Sequence, residues 1–372
     1  MPIPRRVTLT AAASLLALAT PTATVALADD HPGGARTGGV AHSTRTLADL
    51  ERPQERAALR AALRASTGAP GARDDADPDT FTGLDGQLHE VSPFAVAGQD
   101  GYYFIGSDFD TACAFGAHLG KSLEQLSKLA DLLEKAGKRV LFTVAPNKSA
   151  VVRDHLPVPL PQGSCARRGM RIQADLIDRY RDPRYLPLRR DLLQVPHSYW
   201  HTDTHWSTAG TTVLARHLAR ALDPKLAQRL RYKRIKRTHG GDLAGTLGLP
   251  PETIVGRLPR NGVRSDPAKG SPAYDPSLTA IYPDYSWVSR PARRTFPGRT
   301  LVLGDSFAYV ASEAVMNLFR KGQFMWVRSN VAKVARAVND ADTVVFSVVQ
   351  RFATVSPLVD PKFQKQLKKR LH

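Results

Sequence analysis

Runs of strand-forming residues alternate with amphipathic helical patterns from about Asp100 onwards, and this alternation constrains the fold more than any other feature of the sequence. Four runs have the apolar composition of buried strands: "KRVLFTVAPNK", in which the strand ends at Pro146, "RTLVLGD", "QFMWVRS" and "ADTVVFSVVQ". A shorter candidate strand and turn is "DGYYFIGSD". The alternation predicts an α/β fold with a mostly parallel sheet and helices on both faces.

Helical patterns fill the segments between these strands. The segment from His118 to Gly137 places six leucines on one face and ends at a glycine, as helices commonly do. A loop containing "RDHLPVPLPQGSC" precedes a helix predicted from about Met170 to Tyr180. Ser207 can cap a helix over Thr208–Leu222, and "FAYVASEAVMNLF" and "NVAKVARAVND" also predict helices.

The N-terminal region has the layout of an exported protein. Arg5 and Arg6 precede an apolar run that ends at Ala28, which predicts a signal peptide over residues 1–28. The run contains five threonines and Pro21, so it is a poor membrane span, and a twin-arginine export route stays open. Residues 29–80 predict a flexible linker and residues 81–372 one domain with a large core, so we expect a secreted or cell-surface protein.

The chain is strongly basic, with a formal net charge of +18. Without residues 1–28 it keeps 50 basic and 34 acidic residues, a net charge of +16. The basic residues are spread along the chain, with the richest cluster at Arg229–Arg237, and no nucleic-acid-binding motif accompanies them. The charge therefore favours an anionic cell-wall polymer or polysaccharide over nucleic acid as the neighbour, with solubility alone as the alternative.

The two cysteines of the chain, Cys113 and Cys165, are candidates for one disulfide. An oxidising compartment favours such a pairing. Two buried thiols are the alternative, because the sequence says nothing about the distance between the two residues.

The junction "TLVLGDSFAYVASEAV" carries the first candidate for chemistry, Ser306. The apolar strand runs through Gly304 and Asp305 into a helix, a geometry that we expect to expose the serine beyond the carboxyl end of the strand. A serine at a helix start lies beside free backbone N–H groups that can stabilise an oxyanion. The alternative is an ordinary Ser or Asp helix cap.

The segment "YWHTDTHWSTAG" supplies the partners that a serine nucleophile requires. His205 would remove the serine proton, and Asp203, two residues earlier, would orient the imidazole and stabilise its charged form. A metal site is the alternative, because His197, His201 and His205 recur every four residues. The helix that such a site needs is disfavoured by the Thr-Asp-Thr run and the preceding proline, and no metal or other cofactor is expected.

The order of these motifs resembles the AlgJ/AlgX family of alginate O-acetylation proteins, in which an Asp-x-His pair precedes the serine of an SGNH hydrolase-like domain. "DGYYFIGSD", "VLFTVAPNKSAVVRDHLP" and "GGDLAGTLGL" are similar to further segments of that family, and the resemblance covers roughly Asp100 to Phe352. It implies a three-layer α/β/α fold with Ser306 as nucleophile, His205 as general base and Asp203 as its orienting partner. Tyr103, Asn147 and Gln350 depart from the family's pattern.

Four further residues are candidates for contacts to the oxyanion or the substrate. Asn147, at the end of its strand, would join the backbone N–H of Ser306 in an oxyanion hole. Arg328 would hold an acidic sugar or the acyl carbonyl, or is a surface cation. Trp200 would wall the pocket or stack on a sugar, with core packing as the alternative, and Tyr309 follows Ser306 in the same helix.

These residues predict an exported, monomeric O-acetyltransferase that moves an acetyl group onto a polysaccharide through an acyl-serine. The residues alone indicate acyl transfer, and the resemblance supplies the acetyl group. It also implies a membrane-bound acyltransferase as the partner that delivers the group. Two alternatives stay open: a secreted carbohydrate esterase, which uses the same triad with water as acceptor, and a wall-polymer-binding protein with a vestigial triad.

Overall fold

The computed structural model describes residues 80–260, 262–267 and 284–372. The predicted signal peptide and nearly all of the predicted linker lie outside these residues. The strands within them are β1 Thr80–Thr82, β2 Leu88–Glu90, β3 Ala95–Ala97, β4 Tyr103–Ile105, β5 Arg139–Ala145, β6 Tyr232–His239, β7 Glu252–Pro259, β8 Arg264–Pro267, β9 Tyr285–Arg290, β10 Phe296–Gly304, β11 Phe319–Trp326 and β12 Thr343–Val349.

The helices within the same residues are α1 Ser107–Phe115, α2 Leu119–Lys135, α3 Lys148–Val151, α4 Gly163–Arg179, α5 Arg189–Leu193, α6 Thr208–Leu222, α7 Pro224–Arg229, α8 Asp242–Leu247, α9 Ser306–Val310, α10 Ser312–Val315, α11 Val331–Asp340 and α12 Pro361–Lys368. Three predicted helices, now α2, α6 and α11, form close to the predicted positions. Ser207 caps α6 as predicted, since its side chain accepts from the backbone N–H of Ala209.

Six strands form one sheet in the order β5-β12-β10-β11-β9-β8. The first four strands are parallel, whereas β9 is antiparallel to β11 and β8 is antiparallel to β9. The four parallel strands are the four apolar runs of the sequence. Their carboxyl ends therefore lie at one edge of the sheet, where ligands of open α/β sheets usually bind.

Two apolar clusters cover the two faces of this sheet. Alternate strand residues face opposite sides, so Leu141 and Val302 pack with α6 and α9, whereas Val140 and Leu301 pack with α2 and α11. The mostly parallel sheet is thus the middle of three layers, with a layer of helices on each face. The predicted α/β class is confirmed.

Two helical predictions are wrong in their bounds. α4 begins at Gly163 rather than near Met170, because its first turns pack against α1: a Cβ on Gly169 would lie 1.8 Å from the carbonyl oxygen of Ala112. The predicted helix "FAYVASEAVMNLF" is divided into α9, α10 and a 3₁₀ turn over Met316–Leu318. Neither difference moves the strand ends that carry the candidate residues.

Cys113 of α1 and Cys165 of α4 form a disulfide with a Cα–Cα distance of 5.0 Å. The two cysteines belong to a small apolar cluster with Phe81 and Phe115, which is separate from the two large clusters. Within the described ranges, every helix is too short or too polar to cross a membrane.

Candidate active site

Ser306 lies at the carboxyl end of a central strand. β10 runs between β12 and β11 and ends at Gly304, and Ser306 is the first residue of α9. Asp305 caps the helix: its Oδ1 accepts from the backbone N–H of Phe307 at 3.0 Å, and its Oδ2 accepts from that of Val349 at the end of β12. Position 304 requires glycine, because a Cβ there would lie 2.4 Å from a side chain of α9.

The expectation that this turn exposes Ser306 is wrong, since the residue is only 4% exposed. The turn is covered by the segment that contains the Asp-x-His motif. Trp206 donates from Nε1 to the carbonyl of Phe307 at 3.0 Å, and the ring of His205 lies 4.9 Å from that of Phe307. These contacts place His205 beside the residue that follows Ser306.

Asp203 and His205 lie in a loop, residues 198–207, whose ends are held together by antiparallel backbone pairing. The backbone N–H of Ser207 donates to the carbonyl of Ser198 at 2.9 Å. Tyr199 and Trp206 form an isolated bridge just inside this bond. We call this segment the acid–base loop.

The helical face that would align His197, His201 and His205 does not form. Their segment lies between α5 and α6, and His197 has a positive φ of 52°. His201 turns its Nδ1 to Glu252 at 2.6 Å, whereas His205 turns its Nδ1 to Asp203 at 2.7 Å. The three histidines therefore do not share one set of ligand positions.

Asp203 and His205 form a buried pair. Oδ1 of Asp203 accepts from Nδ1 of His205 at 2.7 Å and from its backbone N–H at 2.6 Å. Burial raises the pKa of Asp203, but the charges of His205 and His239 and their hydrogen bonds outweigh it and hold this pKa well below its ordinary value. Asp203 is thus a carboxylate that orients the imidazole, and Nε2 of His205 is the nitrogen that can take a proton.

A second histidine, His239, shares the same carboxylate. Its Nε2 lies 2.7 Å from Oδ2 of Asp203, and its ring packs against Trp200 with 4.9 Å between centroids. Burial lowers the pKa of His239, but the hydrogen bond to Asp203 and its charge outweigh this effect, so the pKa of His239 is raised. Asp203 therefore lies between two imidazole rings.

Lys148 supports the acid–base loop from inside the protein. Its side chain is 1% exposed, and its Nζ donates to the carbonyls of Tyr103 at 2.5 Å, His201 at 2.7 Å and Asp203 at 3.1 Å. Burial lowers the pKa of Lys148 to about 7, against the opposing effect of the surrounding carboxylates, of which Asp203 is the strongest. The lysine thus ties two backbone positions of the loop to β4.

Two carboxylates hold the other side of the loop. Glu252 accepts from the backbone N–H and Nδ1 of His201 and from the backbone N–H and hydroxyl of Thr202, all between 2.6 and 3.0 Å. Asp242 accepts from the backbone N–H of Thr204 at 2.8 Å and from its hydroxyl at 2.6 Å. Gly241 allows the close approach, because a Cβ there would lie 2.0 Å from the carbonyl oxygen of Thr202.

Asn147 follows β5 at the same edge of the sheet. Its Oδ1 accepts from the backbone N–H of Arg351 at 3.0 Å, and its backbone N–H donates to Oε1 of Gln350 at 3.2 Å. Asn147 is 1% exposed, yet its Nδ2 has no hydrogen-bond partner among the residues that the structure describes. A buried amide donor without a partner is suited to a developing negative charge.

The remaining predicted residues differ in how far they approach the site. Trp200 is 6% exposed and packs against His239, which leaves little surface for a sugar. Tyr309 is 3% exposed, and its ring packs edge-on against Phe324, so it occupies a core position rather than one that faces a substrate. Arg328 follows β11, beside the strand that carries Ser306, and its side chain is exposed.

The cluster of Asp203, His205 and Asp242 does not suit a metal ion. Oxygen and nitrogen atoms of Asp203, His205 and Asp242 lie within 4.8 Å of one another. However, Asp203 already accepts hydrogen bonds on both oxygens, and so does Asp242. These atoms therefore face N–H and O–H donors of the protein, which a cation would have to displace.

Sequence reasoning missed His239, Lys148 and a buried ion pair between Arg351 and Asp108. The guanidinium of Arg351 lies 3.6 Å from the carboxylate of Asp108 and 5.3 Å from the ring of Phe307, directly beneath the serine turn. A signal was present for His239, because it precedes the Gly-Gly-Asp segment and ends a strand. Nothing local distinguishes Lys148 from an exposed lysine after a strand.

Comparison with known proteins finds one matching family and several relatives. Residues 95–269 match the family described as SGNH hydrolase-like domain, acetyltransferase AlgX. The probable alginate O-acetylase AlgJ of Pseudomonas aeruginosa is 27% identical over 174 residues, which are 44% of this chain and 44% of AlgJ. AlgJ of Pseudomonas syringae pv. tomato is 24% identical over 155 residues, 39% of this chain and 38% of that relative. The chain thus spans less than half the length of the curated relatives it matches.

Two solved structures are also similar. Bacillus cereus PatB1 has a TM-score of 0.49 at 14% identity, with 70% of this chain and 97% of that chain covered. The O-acetyltransferase domain of Pseudomonas putida AlgJ has a TM-score of 0.43 at 17% identity, with 75% and 99% covered. The family match contains Asn147, Asp203 and His205 and ends before Ser306. The predicted resemblance to the AlgJ/AlgX-type polysaccharide O-acetyltransferases is confirmed, with an SGNH hydrolase-like domain matched over residues 95–269.

Proposed function

We propose that this chain is an exported O-acetyltransferase that moves an acetyl group onto a hydroxyl of an extracellular or cell-wall polysaccharide through an acetyl-Ser306 intermediate. The observation that carries the proposal is the buried Asp203–His205 pair, whose imidazole packs on Phe307, the residue after Ser306. A carboxylate that orients an imidazole next to the turn of a serine supplies the residues that a nucleophilic triad requires.

Acylation begins when Oγ of Ser306 attacks the carbonyl carbon of an acetyl ester. Nε2 of His205 takes the serine proton as the new C–O bond forms, and Asp203 stabilises the imidazolium through Nδ1. The proton then passes to the leaving oxygen of the donor as its bond to the acetyl carbon breaks. In the second half, the acceptor hydroxyl gives its proton to His205 and attacks the acetyl carbon, and Ser306 leaves and regains a proton.

The oxyanion of each tetrahedral intermediate needs hydrogen-bond donors. Nδ2 of Asn147 and the backbone N–H of Ser306 are the donors that we assign to it. Asn147 is supported by its burial and by the Nδ2 that has no partner within the described ranges. Its Oδ1 accepts from Arg351, just after β12, and the last residue of β12, Val349, donates to Asp305. One such donor contributes about 10²–10³-fold to the rate in a serine hydrolase.

The net charge of the chain and the names of its relatives indicate which acceptor and which acetyl donor to expect. A net charge of +16 after removal of residues 1–28 suits an anionic polysaccharide or cell surface. The relatives are named alginate O-acetylases, which favours acetyl transfer to a sugar hydroxyl over hydrolysis. A membrane-bound acyltransferase would then supply the acetyl group outside the cytoplasm, and exposed Arg328 at the sheet edge would meet an acidic sugar.

A chromogenic acetyl ester tests the function with residues 29–372 as the purified protein. Acid release is followed over time with and without oligouronate or neutral oligosaccharide, and acetylated sugar is measured by mass spectrometry. The proposal predicts acetylated sugar that depends on the acceptor. Turnover with water alone would make the protein an esterase, and no turnover of any acetyl ester would make it a binding protein.

Two serine variants make this test specific to the proposed nucleophile. Ser306→Ala should lower turnover by several orders of magnitude. Ser347→Ala is the matched control, because Ser347 is 1% exposed on the adjoining strand and its hydroxyl has no partner within the described ranges. Equal activity of the two variants would contradict the assignment of Ser306.

A further inference from the structure

The carboxylate of Asp203 is shared between two histidines, one more than a Ser-His-Asp triad requires. Oδ1 accepts from Nδ1 and the backbone N–H of His205, and Oδ2 accepts from Nε2 of His239 at 2.7 Å and from the backbone N–H of Asp242 at 3.1 Å. Four donors therefore fix the plane of this carboxylate. The inference drawn from this arrangement rests on the proposed function of Asp203 and His205.

The fold delivers His239 to Asp203 from outside the acid–base loop. β6 pairs antiparallel with β7, and His239 stands opposite Glu252 in the register. Directly opposite residues of an antiparallel pair share one face, so both side chains reach the loop from the same side of the hairpin. The ring of Trp200 covers His239 at 4.9 Å and limits its motion.

We propose that His239 is a positioning residue that holds the second oxygen of Asp203, so that the first oxygen stays aligned with Nδ1 of His205. Without His239, the second oxygen would keep only the 3.1 Å hydrogen bond from the backbone N–H of Asp242, so the carboxylate would be held less firmly about its Cβ–Cγ bond. A shift of about 1 Å at a reacting group can cost about 100-fold in rate. The second histidine adds the shorter of the two hydrogen bonds on this oxygen and so restricts the rotation, without touching the substrate.

His239 also acts through its charge. It faces the carboxylates of Asp203 and Asp242, while Glu252 opposite it is engaged by His201, and Lys148 donates to the backbone of Asp203. Burial lowers the pKa of His239, but the hydrogen bond to Asp203 and the charges of both carboxylates outweigh it and raise this pKa, so the charged form is favoured. A charged His239 then disfavours a second positive charge on His205, which keeps His205 in its proton-accepting form at lower pH.

Two substitutions separate the hydrogen bond from the charge. His239→Gln keeps an N–H donor near the Nε2 position and removes the charge, whereas His239→Leu removes both. His239→Leu should lower kcat about 10–100-fold with little change in KM, because only the alignment of the base is lost. His239→Gln should keep most of kcat. In its pH profile of kcat/KM, the acid limb should shift to higher pH by about one unit.

The matched control is His217→Gln, since His217 also donates through Nε2 to a carboxylate, Asp191 at 2.7 Å, on the distant surface of α6. This variant should leave kcat and the pH profile unchanged. Wild-type kcat in His239→Leu with an unmoved acid limb in His239→Gln would overturn the proposal. Thermal unfolding of each variant shows whether a loss comes from misfolding instead.

NMR titration of the histidine side chains provides a readout that does not depend on turnover. In the wild type, the ring of His239 should titrate at higher pH than in Asp203→Asn, because the substitution removes the charge that holds its proton. An identical titration in both proteins would disprove the contact. If no acetyl ester is turned over while the titrations differ, the proposed function fails and the pairing of His239 with Asp203 stands.

Discussion

The serine turn, Gly304–Phe307, and the acid–base loop, residues 198–207, meet at the same edge of the sheet but are held in different ways. The serine turn continues a central strand, and its position follows from sheet pairing on both sides and one aspartate cap. The acid–base loop has neither strand nor helix. It is held by Lys148, Glu252, Asp242 and His239, which reach it from four separate elements.

This difference predicts how each region responds to substitution. Backbone pairing and apolar packing are shared among many residues, so the serine turn should tolerate most single changes around it. The loop depends on a few polar side chains. Removal of one leaves buried partners without a hydrogen bond, and each such group lowers the free energy of unfolding by about 1–3 kcal/mol. Substitutions at the loop supports should therefore reduce activity more than their distance from the serine suggests.

Lys148→Met should have the largest effect among the supports. It removes the hydrogen bonds from Nζ to the carbonyls of Tyr103, His201 and Asp203, of which His201 keeps a second donor in the backbone N–H of Tyr103. We expect kcat/KM to fall about 100-fold and the free energy of unfolding to fall by about 2–4 kcal/mol. Steady-state kinetics and urea unfolding of the same preparation check both values.

The control for Lys148→Met is a variant that loses similar stability elsewhere. Cys113→Ala with Cys165→Ala removes the disulfide between α1 and α4, at a cost of about 2–4 kcal/mol. This double variant should keep kcat/KM within about twofold, since the bridge touches neither region. Equal losses of activity in the two variants would show that overall stability, rather than loop position, governs the rate.

Glu252→Gln should lower activity less than Lys148→Met does. Its effect on stability should depend on pH, with a sign that follows from the pKa of Glu252. Burial raises the pKa of Glu252, but hydrogen bonds from His201 and Thr202 outweigh it and lower the pKa from 4.5 to about 2. The carboxylate therefore stabilises the fold fully above about pH 5, and this contribution is lost as pH falls towards 2. Glutamine does not titrate, so the stability difference between the two proteins should shrink over that range.

Urea unfolding at a series of pH values measures this difference for Glu252→Gln. A difference that stays constant from pH 6 to pH 3 would contradict the assigned contacts. At neutral pH we expect kcat/KM to fall about 10-fold, because two of the four donors held by Glu252 belong to His201, two residues before Asp203 in the acid–base loop.

The same contrast explains how much the sequence could predict. The serine turn follows from local signals: an apolar run, a glycine and an aspartate at a helix start. The pair Asp203–His205 is also local, because its members are two residues apart. His239 is not, since its contact to Asp203 spans 36 residues and its strand, "YKRIKRTH", is typical of a solvent-exposed surface. The burial of Ser306 and Lys148 likewise depends on packing between distant segments, which no local pattern contains.

The central claim is that Asp203, His205 and Ser306 act as one unit across the two regions, and alanine substitutions in all combinations test it most directly. Each single variant should lose at least about 10⁴-fold in acylation rate, and the double and triple variants should be little worse than the worst single one. Thermal unfolding confirms that each variant is folded. Losses that multiply from single to triple variant would mean that the three residues act independently, and the account of a shared triad would be contradicted.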